Sequence, residues 1–238
     1  MPLFVTIRSD NLLFSLPASH MIDICLSGGA KGADVQWGVA AAACGHRVRH
    51  YSFNGHVTAT SKDVVRLTQN ELSEVDWHLE RANRVLQRRY PPDNLYVRNL
   101  LRRNWFQVDS AKSLYAVSSF KHGQVVGGTA WAVILFLLKF DMASCPAYVF
   151  DQERCFWYDW VGEWRQINEP PKPCDVYAGV GTRAINPMGR LAIKVLMDYR
   201  MDYHTTIRSR SEHAVGETGR LVALNNADRN QSVSDGYF

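Results

Sequence analysis

The sequence predicts an α/β fold, a Rossmann-like three-layer sandwich with a mostly parallel sheet and one antiparallel aromatic hairpin. Three observations carry that reading. Short apolar runs alternate with segments of helical periodicity. Glycine-rich segments recur between such a run and the helix after it, as in sheets covered on both faces. Finally, "RCFWYDWVGEWRQI" alternates along its length around Gly162, as two antiparallel strands do.

Met21 to Leu26 reads as a short buried strand, followed by the glycines of "SGGAKGAD" and an alanine-rich helix stopped at Gly45. His46 to Phe53 is the next strand, which makes a β–α–β unit with a parallel pair. From Ser61, the positions Val65, Leu72, Val75, Leu79, Ala82 and Leu86 have helical spacing. They predict one long helix capped by Ser61 and ended by "RRYPP". A second helix spans Asn94 to Val108, and Ser113 to Phe120 is a strand. Gly127-Gly128-Thr129 opens an apolar helix to Phe140, and Pro146 to Asp151 is a further buried strand. After the hairpin, "CDVYAGVGTR" is the last strand and loop. "NPMGRLAIKVLMDYR" is its helix, with Asn186 as cap and Pro187 at the first helical position. Residues 1–20 form an N-terminal extension, 21–203 a single domain and 204–238 a polar tail with the composition of a disordered segment.

Composition excludes several classes. A hydrophobic content of 46% and a charged content of 21% are ordinary for a soluble globular chain, and a net charge of +4 is too weak to indicate nucleic acid. The five cysteines contain no C-x-x-C pair, so neither a metal site nor a disulfide framework is predicted, and they are expected as reduced thiols, mostly in the core. The longest apolar run, Ala130 to Leu138, is about half of the roughly 20 residues a membrane span needs. The N-terminus lacks the layout of a secretory signal, so cytoplasm is the default location.

Three glycine-bearing segments fall after a strand and before a helix: Ser27-Gly28-Gly29-Ala30-Lys31-Gly32, Val126-Gly127-Gly128-Thr129 and Ala178-Gly179-Val180-Gly181-Thr182-Arg183. In a parallel sheet all three emerge at one edge. Each offers backbone N–H groups at a helix N-terminus, where unpaired donors and the helix dipole attract an anion. Ser27, Thr129 and Thr182 add hydroxyls, and Lys31 and Arg183 add charge. Neither a P-loop nor a G-x-G-x-x-G fingerprint is present.

"SGGAKGAD" resembles the signature of the SLOG superfamily of Rossmann-like proteins. That group includes DprA, the LOG cytokinin-activating phosphoribohydrolases, the YpsA/YspA-like proteins and molybdenum-cofactor carriers. "RRNWFQVDSAKSLYAV" resembles the family's Arg-Asn element, on Arg103 and Asn104, and "GGTAWAV" its phosphate loop, on Gly127, Gly128 and Thr129. The resemblance implies a nucleotide or nucleotide-derived ligand over these loops. No cofactor is assigned beyond that ligand, and the weak charge and short apolar runs point to a small molecule as partner, not nucleic acid or a membrane. Many relatives self-associate, so a homo-oligomer is within its scope. Where many relatives begin with a "GVGSR" strand and loop, the similar "YAGVGTR" comes last here. That order implies a circular permutation with the final β–α unit beside the first strand.

A second departure concerns catalysis. The phosphoribohydrolases carry a glutamate three residues past the loop threonine, and here that position is Ala132. Asp34, in the first turn of the first helix, is the candidate to substitute as an acid or base, against the commoner role of capping amides. Two rivals to simple ligand binding therefore stand: N-glycosidic cleavage of a nucleoside 5′-monophosphate, and DprA-like binding of single-stranded DNA. Outside the loops, Arg98 and Arg102 lie one helical turn apart, as phosphate donors or as a solvated face. His46, His50 and His56 cluster at the second strand, and Trp157, Trp160 and Trp164 in the hairpin, in each case with packing as the commoner role.

Overall fold

The structure is a computed structural model that describes residues 22–197. The N-terminal extension and the polar tail read from the sequence lie outside the described residues. Six strands run parallel: β1 (Ile24–Ser27), β2 (Arg47–Phe53), β3 (Val64–Leu67), β4 (Ser113–Ser118), β7 (Cys145–Asp151) and β10 (Val176–Gly181). The hairpin β8 (Phe156–Trp160) and β9 (Trp164–Ile167) extends the sheet antiparallel, giving the order β3-β2-β1-β10-β4-β7-β8-β9. Between β4 and the next helix, a small separate ribbon pairs β5 (Phe120–Lys121) with β6 (Gln124–Val125).

Helices cover both faces. α1 (Ala33–Ala43) and α6 (Pro187–Leu196) touch each other on one side. The other side carries α3 (Asp76–Leu86), α4 (Leu95–Val108) and α5 (Thr129–Leu137), with the short α2 (Gln69–Glu74) against α4. Strand alternation sorts the layers. On β1 and β10, Cys25 and Gly179 face Trp37 of α1, whereas Leu26, Ala178 and Val180 join the core with α4 and α5. Trp37 is fully buried and its indole N–H donates to the Val180 carbonyl at 3.1 Å.

β10 lies between β1 and β4, the place that the permuted order expects. Strand pairing depends on which edges are free in space, so the last strand can complete the middle of the sheet. Asn186 caps α6 as its sequence position suggests, accepting from the amide of Gly189, and Asn94, read from the sequence as the first helical residue, caps α4 by accepting from Val97.

The long helix from Ser61 does not form, and Ser61 caps nothing. Val64–Leu67 instead pairs with His50–Phe53 as an edge strand. Thr68 then opens α2 through a reciprocal capping box with Glu71. Leu72, Val75, Leu79, Ala82 and Leu86 are buried as their spacing implies, while Val65 is exposed. The cysteines depart from expectation as well. None of the five is in a disulfide, but among them only Cys25 is buried, and Cys155 and Cys174 are exposed.

Arg98 and Arg102 are neither phosphate donors nor a solvated face, because both close on Asp76 and so tie α4 to α3. Arg102 donates from Nε and Nη2 at 2.7 and 2.6 Å, with Tyr90 completing the shell. Burial works to raise the Asp76 carboxyl, but hydrogen bonds from Arg102, Tyr90 and Arg98 outweigh it and hold the group well below the usual carboxylate range. Replacing Asp76 with Ala leaves the buried Arg102 uncompensated and is expected to cost roughly 3–5 kcal/mol, read from urea unfolding midpoints. Because the folded value lies below the unfolded one, this stabilisation is fully present above about pH 4 and disappears as the pH falls further. The D76A variant should accordingly lose part of the acid sensitivity of the parent's unfolding midpoint.

Candidate functional site

A cavity of about 530 Å³ opens between α4, α5 and the carboxyl ends of β1 and β10. Chain order reverses there: β2 and β3 lie on one side of β1, and β4 and β7 on the other. Such a reversal opens a crevice at the strand ends of α/β sheets, and the volume is in the range of small-molecule sites.

The three glycine segments do share this edge, but they do different work. Of the first, only Ala30 lines the cavity, and Lys31 points away as an exposed side chain. Its carbonyls are taken up by protein partners, and its hydroxyl by the chain itself. The Gly28 carbonyl accepts from Arg103 Nη1 at 3.1 Å, the Gly29 carbonyl from the Ala59 amide, and Ser27 Oγ donates to the Asp34 carbonyl. A side chain at Gly28 would collide with both Asp34 and Arg103. The amide of Ala33, in the first turn of α1, donates to the Thr182 carbonyl at 2.9 Å. The N-terminus of α1 is thus closed onto the third segment.

In that third segment Gly179 is packed beneath Trp37, and the Gly181 amide donates to Asp34 Oδ1 at 3.1 Å. Gly181, Thr182 and Arg183 line the cavity, with Arg183 exposed at its mouth.

The second segment is the open one. Val126, Gly127, Gly128 and Thr129 all line the cavity, and a side chain added at Gly127 or Gly128 would meet nothing. Gly127 holds a φ of 65°, which glycine adopts without strain. The Gly127 carbonyl accepts from Arg88 Nη1 at 2.6 Å, and the Gly128 carbonyl from Asn104 Nδ2 at 3.3 Å. With both carbonyls engaged by these side chains, the start of α5 and the buried Thr129 stand in the cavity wall. The unpaired N–H groups and positive dipole end of a helix start suit an anion.

Asp34 and Arg103 form the floor as a buried ion pair, with Oδ2 and Nη2 3.3 Å apart. Burial pushes the Asp34 carboxyl up, while Arg103, the Gly181 amide and the Gln107 amide oppose that rise. Arg103 Nη1 also meets His56 Nε2 at 2.9 Å. A guanidinium can only donate, so Nε2 accepts, and the ring's proton sits on Nδ1 and faces Ser52 Oγ. Burial, with the charges of Arg103 and Arg183, lowers the His56 pKa to about 4, which keeps the ring neutral at pH 7. His50 lies under Gly29 and Gly38, outside the cavity lining, and His46 bonds the Tyr177 hydroxyl. The hairpin tryptophans pack: Trp157 on Phe150, and Trp164 on Trp160 and Phe120.

No family profile and no curated protein sequence matches this chain. One solved structure is similar. It is a candidate molybdenum carrier protein from Syntrophus aciditrophicus SB, 14% identical, with a TM-score of 0.43, matched over 75% of this chain and 93% of that one. At this identity and TM-score, the likeness carries no statement about ligand or activity. Among the described residues, no three His, Cys, Asp or Glu side chains cluster as a metal site would require, and no helix is long and apolar enough to cross a membrane.

Several lining residues escaped the sequence reading. Gln107 and Trp131 read there as ordinary helical positions, although Gln107 stands four residues past Arg103 on the same face of α4. Arg88 falls in "RRYPP", where the sequence marks only the end of a helix. Replacing Asp34 with Ala strands the buried Arg103 charge and is expected to destabilise the fold by roughly 3–5 kcal/mol in urea titration. A Gly28→Ala variant should lose roughly 1–3 kcal/mol in the same titration, since its new methyl group has no room beside that pair.

Proposed function

We propose that this protein binds a nucleotide or nucleotide-derived phosphate compound in the manner of a SLOG-type domain, as a small-molecule binder. The observation that carries this reading is the open N-terminus of α5. Gly127, Gly128 and Thr129 present it to a 530 Å³ cavity whose lining also includes Arg88, Arg89 and Arg183. A helix start, a hydroxyl and guanidinium groups together suit a phosphate. The remaining wall, with Val97, Leu100, Leu101 and Trp131, is apolar and can cover a flat organic moiety. The phosphate cradle rests on the second segment and the end of the third. Arg103 and Asn104 take part as supports: Arg103 bonds Gly28, Asp34 and His56, and Asn104 bonds the Gly128 carbonyl.

N-glycosidic cleavage has less support. Ala132, at the position of the relatives' glutamate, lines the cavity and brings no carboxylate. Asp34 is the acidic residue in that lining, and both its oxygens are engaged, by Gly181 and by Arg103.

A thermal-shift screen over nucleoside mono- and diphosphates should raise the apparent stability, by about 2.7 kcal/mol at a ligand concentration a hundred times Kd. Gly128 has φ −67° and open space around it, so Gly128→Asp should fold with an unchanged ligand-free Tm and lose the shift. An equal shift in the variant would refute the phosphate position. No free base should appear when nucleoside monophosphates are incubated with the protein.

A further inference from the structure

Deep in the same cavity lies a second polar feature that a phosphate does not satisfy. Gln107 is 1% exposed and lines the cavity, yet neither its Nε2 nor its Oε1 has a hydrogen-bond partner among the described residues. Its amide is close enough to the Asp34 carboxyl to lower that group's proton affinity, but does not meet it in hydrogen-bond geometry. One turn earlier on the same helix face, Arg103 Nε is likewise buried without a partner. Two donors and one acceptor, on two residues of the cavity lining, are therefore unsatisfied. A buried amide without partners costs on the order of 1–3 kcal/mol, so such groups are uncommon unless something pairs with them.

The position of the patch decides what that something is. Asn104, three residues before Gln107, bonds the Gly128 carbonyl and so marks the level of the glycine segment. Gln107 stands about 4.5 Å further along the helix axis. α4 leads into β4, whose register with β10 starts at Ser113, so its C-terminal end lies toward the amino edge of the sheet. Gln107 is thus on the inner side of the glycine segment. Leu101, Trp131 and Ala132 supply apolar lining to the same cavity.

We infer that Gln107 reads the heterocycle of the ligand, pairing its carboxamide with a neighbouring donor and acceptor on a nucleobase edge. This rests on the phosphate reading given above and adds orientation and class to it. The phosphate lies at Gly128 and Thr129, and the base points inward with its ring against the apolar wall. A carboxamide offers one donor group and one acceptor side by side in one plane, which matches the flat donor–acceptor edge of an unpaired base. The site consequently selects free nucleotides over ribose 5-phosphate, and Gln107 is the specificity-determining residue.

The test is isothermal titration of the full chain with AMP, GMP, UMP and CMP and with ribose 5-phosphate, on the parent and on Gln107→Leu, Gln107→Met and Gly128→Asp. At least one nucleotide should bind the parent about ten- to a hundredfold more tightly than ribose 5-phosphate. In Gln107→Leu and Gln107→Met that preference should vanish while ribose 5-phosphate binding stays as in the parent. The ligand-free Tm of both variants should equal or exceed the parent's, because an unpaired buried amide has been removed, and this separates lost recognition from lost folding. Equal parent affinity for ribose 5-phosphate and every nucleotide, with binding still abolished by Gly128→Asp, overturns the role of Gln107 and leaves the phosphate site standing. A nucleotide preference that survives in both Gln107 variants overturns it equally. Absence of binding by all five probes, or binding indifferent to Gly128→Asp, overturns the phosphate site and the inference with it.

Discussion

The contact on which the arrangement depends is the buried pair of Asp34 and Arg103. Asp34 belongs to α1 on one face of the sheet and Arg103 to α4 on the other, so their bond passes over the carboxyl ends of β1 and β10. Removing two charges from water is costly, and such a pair holds only when its remaining hydrogen-bonding capacity is met. Here Gly181 donates to Asp34, while Gly28 and His56 receive from Arg103. Each of those bonds fixes one glycine segment or the end of β2. The pair sets the distance between the two helical layers at the edge where the cavity opens.

That clamp gives the three glycine segments separate duties. The first and third close on each other and on the clamp, with Gly28 bare because Asp34 and Arg103 leave no room for a side chain. Their closure leaves α5 as the helix whose start faces the cavity. Arg88 and Asn104 draw the carbonyls of Gly127 and Gly128 toward themselves. Glycine marks all three segments in the sequence, yet it serves close packing in two of them and an open wall in one.

The order of the sheet follows from the same geometry. β10 is the last strand in the chain and stands in the middle, hydrogen-bonded to β1 and β4. It brings Gly181 under Asp34 and Thr182 over the start of α1. A strand at either edge could do neither, so its late place in the chain has no bearing on the closure of the site.

The alternation of strands and helices, the aromatic hairpin, the Asn186 cap and the gathering of glycine segments at one edge were all determined by the sequence, because each depends on local periodicity or capping chemistry. The stretch from Ser61 was misread for a physical reason. Val64–Leu67 is a strand only because the edge of β2 is free to pair with it, and no property within that stretch records a distant free edge. Arg98 and Arg102 likewise look like surface cations until Asp76 is brought against them by the packing of α3 on α4. The tertiary structure alone decided which glycine segment stays open, and that Gln107 is buried with its amide unpaired. Burial and hydrogen-bond satisfaction belong to neighbours in space, and these come from helices and strands far apart in the chain, as with Gly181 and Asp34, whose separation is 147 residues.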